Sequence, residues 1–468
     1  MIRGGTRAGE IAVIGLGKSG RAVATLLARE GASVYASDAA DTPAVGAIAS
    51  RLREGGVIAQ TGGHDLERIA RAVLVVVSPG VPPQAAAIAA ARAAGVPVVG
   101  EIEVALHALP HTRSIAVTGT NGKTTTTALI GHLLRALDLD AVDAGNIGTP
   151  LSDVALAPEH PAWIALELSS FQLHDTPSIA PNVGVVTNLT PDHLDRYGSV
   201  DEYYADKALI FRNSRPESKW VLNADQKEVT TLASRLPALE GGKRQTVEGD
   251  VGQFTIRDHG ASAYFDRSSE MLVVLDTFRF PRSDLMLFGE HNVANALAAT
   301  LAVMMVDTAH TTAEARDRLA VGLRSFRALK HRLEVAGEFG GVLWINDSKA
   351  TNVSSTLVAI EGMTRPTVLL LGGRHKGEPY TALADPLRRV AKRVIAYGEA
   401  APLVAADLSD VVPLDRLQSS FAEVMAHARA VAEPGDVVLL SPACSSYDMF
   451  NNYEERGAEF KRLAAAPE

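Results

Sequence analysis

The stretch Ile115–Thr127, IAVTGTNGKTTTT, combines the residue types that bind a polyphosphate. A β-branched run enters a glycine-rich loop, and a lysine followed by hydroxyl residues opens a helix. N–H groups of such a loop and helix start lack intrahelical acceptors, and the helix dipole adds partial positive charge. Gly119 and Gly122 admit close backbone approach across Thr120 and Asn121. Lys123 reaches terminal phosphates, Thr124 offers a hydroxyl to Mg²⁺, and Thr125 follows in the first turn. The strict P-loop pattern has Gly at 117, where this chain has Val. The expectation is a variant ATP loop; the competing reading is a glycine turn with a solvated lysine.

A second loop, GLGKSG (Gly15, Gly17, Lys18, Ser19, Gly20), also follows a strand and opens a helix, and Asp38 ends the next strand. The spacing fits GxGxxG with a ribose-binding acid. It suits NAD, and equally another ligand with a diphosphate and ribose, such as a UDP-sugar.

Further polar residues fall at the ends of apolar runs. Glu167 closes WIALE, where a carboxylate needs a partner and a Mg²⁺ ligand is the natural role. TNLTPDHLDRYGS places Asn188, Asp192, His193 and Asp195 at one crevice, with His193 open to metal, substrate or purely structural use. Ser199 and Glu202 read as a capping box starting a helix over 200–211. Tyr203, Lys207, Ile210 and Phe211 then share a face. A lysine there must pair, snorkel or lose its proton, and a neutral amine can capture CO₂ as a carbamate. Asn292 and Asn295 lie one turn apart near a helix start, suited to an adenine edge or, for Asn292, to capping. Strand ends near the C-terminus deliver Asp347, Lys349, Thr351, Arg374, Lys376, Ser445 and Ser446, with Arg332 just upstream. That set suits phosphate and carboxylate capture.

The elements that must position these residues are α/β. Near-continuous Val/Ile/Leu runs alternate with Ala-rich helices, the pattern of parallel sheets covered on both faces. The 468 residues exceed one ordinary core and suggest about three domains. Breaks at HALPHTRS and RSFRALKHRLE divide them into residues 1–109, 110–328 and 329–468. The polar, partly alternating stretch from Leu232 to Phe288 (QFTIRD, SAYFDR, MLVVLD) reads as a small antiparallel insert in the central domain. Net charge of −9 argues against nonspecific nucleic-acid binding. No apolar run approaches the roughly 20 residues of a membrane span. The short run Ile11–Leu16 reads as a strand, not a secretory signal. The single cysteine, Cys444, fits a reducing cytoplasm.

With these motifs assembled, the chain resembles the Mur ligase family along essentially its whole length. GTNGKT, HNVANALAA and HRLE are shared widely in that family. GNIG, ELSSFQL, TPDHLDRY, NDSKATN and SPACSSYDMF resemble the branch that adds D-glutamate to UDP-N-acetylmuramoyl-L-alanine. The resemblance implies a Rossmann-like N-terminal domain, a central P-loop-type ATPase domain and a Rossmann-like C-terminal domain. It implies ATP-dependent amide formation through an acyl phosphate, in the cytoplasm, by a monomer. Gly15, Gly17, Lys18, Ser19, Asp38, Gly80, Asn146 and His193 would then serve the UDP substrate. Gly119–Thr125, Asn292, Asn295, Arg332 and Asp347 would serve ATP. Thr124, Glu167, His193 and a carbamylated Lys207 would hold two Mg²⁺. Lys349, Thr351, Lys376, Ser446 and Tyr453 would receive D-glutamate. Tyr447 and Tyr453 stand where Leu and Phe are the family's usual residues. Two rival expectations are another Mur or folylpolyglutamate-type ligase and an NAD-dependent oxidoreductase; the latter leaves the ATP loop unexplained.

Overall fold

The structure, a computed structural model, describes residues 9–193, 196–237, 246–257, 259–327 and 329–466. Asp195 lies outside them. Three sheets organise the chain, as the alternation of apolar runs and helices requires.

The first sheet is all parallel, in the order Ile58–Gln60, Ser33–Ser37, Glu10–Ile14, Leu74–Val77, Val98–Gly100. Its runs AVI and LVVV are buried because helices cover both faces. Order reverses between Glu10–Ile14 and Leu74–Val77, so the loops after these strands, carrying Gly15 and Gly80, flank a topological switch point. Ligands of open α/β sheets bind at such crevices.

The second sheet has nine strands. Arg113–Thr118 lies third from one edge, between Val183–Val186 and Trp163–Glu167. The loops bearing Gly119, Asn188 and Glu167 therefore leave the same sheet edge. The 232–288 stretch extends this sheet. Its first strand, Asp250–Thr255, pairs parallel on both sides, and antiparallel pairing begins only at Ala263–Asp266 with Met271–Val274 and Phe278–Pro281.

The third sheet runs Glu334–Phe339, Val342–Asn346, Val437–Leu440, Thr367–Gly372, Ala391–Tyr397, Leu414–Leu417. All pairs are parallel except the first, a hairpin turning at Gly340 and Gly341. Both edge strands escape a reading based on apolar runs because polar and small residues interrupt them and none of their residues is fully buried.

The chain forms two compact units. One runs through Asp284 and includes Ala294–Arg324; the other comprises Leu285–Val293 and the residues from Ser325 onward. The first two sheets belong to one unit and share a core. Leu27 and Val76 of the first sheet's layer join the same buried cluster as Ile102, Leu151, Leu166 and Val186.

Glu101 is buried where these layers meet. Its Oε1 accepts from Ser152 N–H at 2.5 Å. Burial drives its carboxyl up to about 7, and the Ser152 bond only partly offsets this. The folded state thus holds a proton that the unfolded chain releases above the ordinary carboxylate pKa. Stability from this group is full at acid pH and falls as pH rises through about 7. Glu101→Gln keeps the acceptor and removes the buried charge. Its Tm should match wild type at pH 5 and exceed it by about 2–4 °C at pH 8.5 in thermal denaturation. Equal shifts at both pH values would contradict a buried titrating carboxyl.

Candidate functional site

The GTNGKT loop is fastened to the loop after the neighbouring strand. Asn188 Nδ2 donates to the Asn121 carbonyl, and Asn121 N–H donates to Asn188 Oδ1, both at 2.8 Å. Thr187 Oγ1 donates to the same carbonyl at 2.6 Å. Thr120 N–H donates to the Asn188 carbonyl, and its hydroxyl lies 3.2 Å from Tyr203 Oη. Gly119 has φ +137°, and a Cβ there would sit 2.1 Å from Thr187 Oγ1. Only glycine permits this approach. The helix Lys123–Ala136 starts after Gly122 with no side-chain cap, leaving its first N–H groups to the loop's concave side. Thr124 and Thr125 are buried in its first turn. Asn295 faces the loop, its Oδ1 accepting from Thr126 Oγ1 at 3.2 Å.

Two lysines converge on one oxygen. Lys123 Nζ donates to the Gly119 carbonyl at 3.0 Å and to the Thr120 carbonyl at 2.7 Å. Lys207 Nζ donates to the same Gly119 carbonyl at 2.7 Å. Lys207 is 1% exposed, from a helix, Val200–Ala208, that continues as a 3₁₀ turn to Phe211. Tyr203, Ile210 and Phe211 are buried with it, as the spacing predicts. Its amine lies 4.7 Å from the Tyr203 ring centre. One carbonyl and one ring face are poor company for the three donors of an ammonium. Burial, then the Lys123 charge, pushes the Lys207 pKa well below that of an ordinary lysine, against the pull of Asp192, Glu167 and Asp206. The helix start differs in detail from the expected capping box: Ser199 caps Glu202 N–H, but Glu202 accepts from Gly198 N–H, one residue further back.

Glu167 is 2% exposed. Its Oε1 accepts from Asn146 Nδ2 at 2.8 Å, and Asn146 N–H donates to the Glu167 carbonyl. Its Oε2 has no hydrogen-bond partner among the described residues. A buried carboxylate oxygen of this kind fits a cation. His193 adopts φ 56°, packs edge-on to Phe171 at 5.3 Å, and is half-exposed. Among the described residues no three His, Cys, Asp or Glu side chains form a ready metal cluster. Further anionic ligands must come from elsewhere.

At the first sheet, the helix Lys18–Arg29 also starts without a side-chain cap. Ser78 Oγ donates to the Gly15 carbonyl at 2.9 Å, and a Cβ on Gly20 would lie 1.7 Å from that carbonyl oxygen. Gly17, Lys18 and Gly80 are exposed, and Ser19 half-buried. A Cβ on Gly80 would meet nothing, so packing gives no reason for glycine there. Asp38, half-buried, follows the strand Ser33–Ser37. Its Oδ2 accepts from Leu16 N–H at 2.7 Å and its Oδ1 from Ala40 N–H at 2.8 Å, so it braces the glycine loop.

The other unit gathers a separate set. Asp347 is 7% exposed and accepts from Ser441 Oγ at 2.8 Å and Leu333 N–H at 3.2 Å. Burial lifts its carboxyl to about 7 against these bonds and the Arg332 charge. Lys349 Nζ lies 5.5 Å from the centre of the Tyr453 ring. Lys376 Nζ donates to Thr351 Oγ1 at 3.2 Å. Ser446 is buried beside Ser445, whereas Arg374 is drawn away from this set by a two-bond pair with Glu399. Asn292 Nδ2 donates to the Phe288 carbonyl at 2.7 Å, a local helix-start contact. The sequence reading passed over Arg456, fully buried, whose guanidinium binds Ser348 Oγ, the Ser348 carbonyl and the Cys444 carbonyl. Its position on one face with Tyr453, Gly457 and Phe460 was the available signal.

Three family models match in chain order: the Mur ligase MurD-like N-terminal domain over residues 9–100, the Mur ligase middle domain over 117–303, and the Mur ligase glutamate ligase domain over 331–444. The UDP-N-acetylmuramoylalanine–D-glutamate ligase of Koribacter versatilis is 39% identical over 460 residues, 98% of this chain and 97% of that protein. The enzyme of the same name from Salinibacter ruber is 40% identical over 462 residues, covering 96% of each. The fold is shared with UDP-N-acetylmuramate–alanine ligase MurC of Thermotoga maritima, at TM-score 0.60 and 20% identity over 97% of this chain and 100% of that one. It is likewise shared with MurF ligase of that organism in complex with ADP, at TM-score 0.60, 15% identity, 92% and 95% coverage. The chain belongs to the Mur ligase family.

Gly119→Ala tests the fastened loop directly. The added methyl collides with Thr187 and must strain a left-handed backbone position, at a cost of about 1–3 kcal/mol. The variant should melt several degrees lower and lose binding of a fluorescent ATP analogue. An unchanged Tm and affinity would show that the two loops are not held together as described.

Proposed function

We propose that this chain uses ATP to join the amine of D-glutamate to the L-alanine carboxylate of UDP-N-acetylmuramoyl-L-alanine, in cytoplasmic peptidoglycan precursor synthesis. The observation that carries this reading is full-length similarity, near 40% identity, to ligases named for that reaction. The division of labour would follow residues 1–109 for the UDP substrate, 110–328 for ATP and 329–468 for the incoming amino acid.

A carboxylate does not yield an amide in water without a better leaving group than hydroxide. In this reading the γ-phosphoryl group of ATP passes to the L-alanine carboxylate, giving an acyl phosphate and ADP. Lys123 swings from its loop carbonyls to the terminal phosphates, while the loop N–H groups from Gly119 to Thr125 hold the chain of phosphates. Asn292, Asn295, Arg332 and Asp347 serve the rest of the nucleotide, Asn295 also bonding to the loop's helix through Thr126. Mg²⁺, when bound, neutralises charge on the phosphates. Thr124, Glu167 and His193 would hold it, together with Lys207 once its amine has taken up CO₂. The orphaned Glu167 Oε2 and the lowered Lys207 pKa support that ligand set. Gly15, Gly17, Lys18, Ser19 and Gly80 receive the uridine diphosphate, and Asp38, which also braces the loop, meets its ribose. Asn146 and His193 steady the muramoyl end. Lys349, Thr351, Lys376, Ser446 and Tyr453 receive D-glutamate, whose amine attacks the acyl carbon. The tetrahedral intermediate then expels phosphate.

ATP-dependent phosphate release with a panel of UDP-muramoyl acceptors and D- or L-amino acids tests the assignment. Release should require UDP-N-acetylmuramoyl-L-alanine together with D-glutamate, and fall at least tenfold with L-glutamate. Equal or faster turnover with a tripeptide acceptor or a diamino acid would move the chain to another branch of the family.

A further inference from the structure

The helix Leu151–Ala155 follows the GNIG loop that carries Asn146 and has only five residues. So short a helix cannot fix its own position through internal hydrogen bonds. Leu151, Val154 and Ala155 seat it in the shared core, and three polar contacts from the first sheet's layer fix it further. Arg21 Nη2 donates to both carboxylate oxygens of Asp153, at 2.9 and 2.6 Å. Arg29 Nη1 donates to the Leu156 carbonyl at 2.6 Å. Glu101 accepts from Ser152 N–H, completely buried. Arg21 sits in the first turn of Lys18–Arg29, its N–H donating to the Gly17 carbonyl. One arginine thus touches the start of the Gly15–Gly20 loop's helix with its backbone and the Asn146 segment with its side chain.

The geometry points to Arg21 as a positioning residue, with Asp153, that sets the span between the diphosphate loop and Asn146 and so the fit of a long UDP-linked substrate. It contacts neither ligand. The inference rests on the proposed reading of these two loops as opposite ends of the UDP-substrate site. The pair is about one-third exposed on each side, and an isolated pair of that kind contributes little. Leu151, Val154 and Ala155 anchor the helix in the core whatever ligand is bound, so the pair adjusts only the span between the two loops and its effect should appear only for ligands that reach both.

Calorimetry with two ligands separates this from a general weakening. UDP alone reaches the glycine loop, whereas UDP-N-acetylmuramoyl-L-alanine reaches Asn146 too. Arg21→Met should raise Kd for the full substrate about threefold to fivefold and leave Kd for UDP unchanged. The KM values for ATP and D-glutamate should also stay put. The charge-exchanged double variant Arg21→Asp with Asp153→Arg should return the full-substrate Kd to within about twofold of wild type. Unchanged full-substrate affinity in Arg21→Met, or an equal loss for UDP, would overturn the clamp. Wild-type protein that binds neither ligand would overturn the functional reading, and the clamp's substrate role with it.

Discussion

The carbonyl oxygen of Gly119 is the point on which the central domain's chemistry depends. It accepts from both Lys123 and Lys207, and its placement requires a glycine pressed against Thr187 and Asn188. Two ammonium groups sharing one buried acceptor would repel each other. Burial, then the Lys123 charge, therefore lowers the proton affinity of the Lys207 amine, because water is not there to solvate its charge. Sequence type, backbone conformation and proton affinity are linked through that oxygen.

Around this point the fold supplies rigidity by ordinary means. Parallel strands bring the Gly119, Glu167 and Asn188 loops to one edge, and Asn188 ties the first to the last with both ends of its side-chain amide. The shared core beneath the first two sheets makes their loops parts of one body. Sites assembled from loops gain precision when such second contacts lock them. Asp38, Ser78, Thr187 and Asn295 all do that work here without being required to touch a ligand.

Much of this was legible in the residues. GTNGKT and GLGKSG declare a strand, a turn and a helix start by glycine placement, and both helices begin uncapped. Lys207 stood out because a lysine on an apolar stripe has few options. The bonds of Asp38 to Leu16 and Ala40 N–H were not legible, because they are set by how the loop curls, which spacing alone does not convey. The bond of Asn295 with Thr126 was not legible either, since nothing in the spacing marks that amide as a partner of the loop's helix. The strand Glu334–Phe339 lacks an apolar run because its faces are mostly wet, although the Gly340–Gly341 pair was a usable hairpin signal. Arg456 was hidden by a general expectation that arginines are exposed.

We propose that Lys207 works as a buried neutral amine that carries CO₂, rather than as a cation. Carbon-13 NMR of the protein equilibrated with ¹³C-bicarbonate and Mg²⁺ reads that state directly. A carbamate resonance should appear in the wild type and be missing in Lys207→Arg, whose guanidinium stays charged. An active wild-type enzyme with no such resonance, or a resonance that persists in Lys207→Arg, would contradict the account.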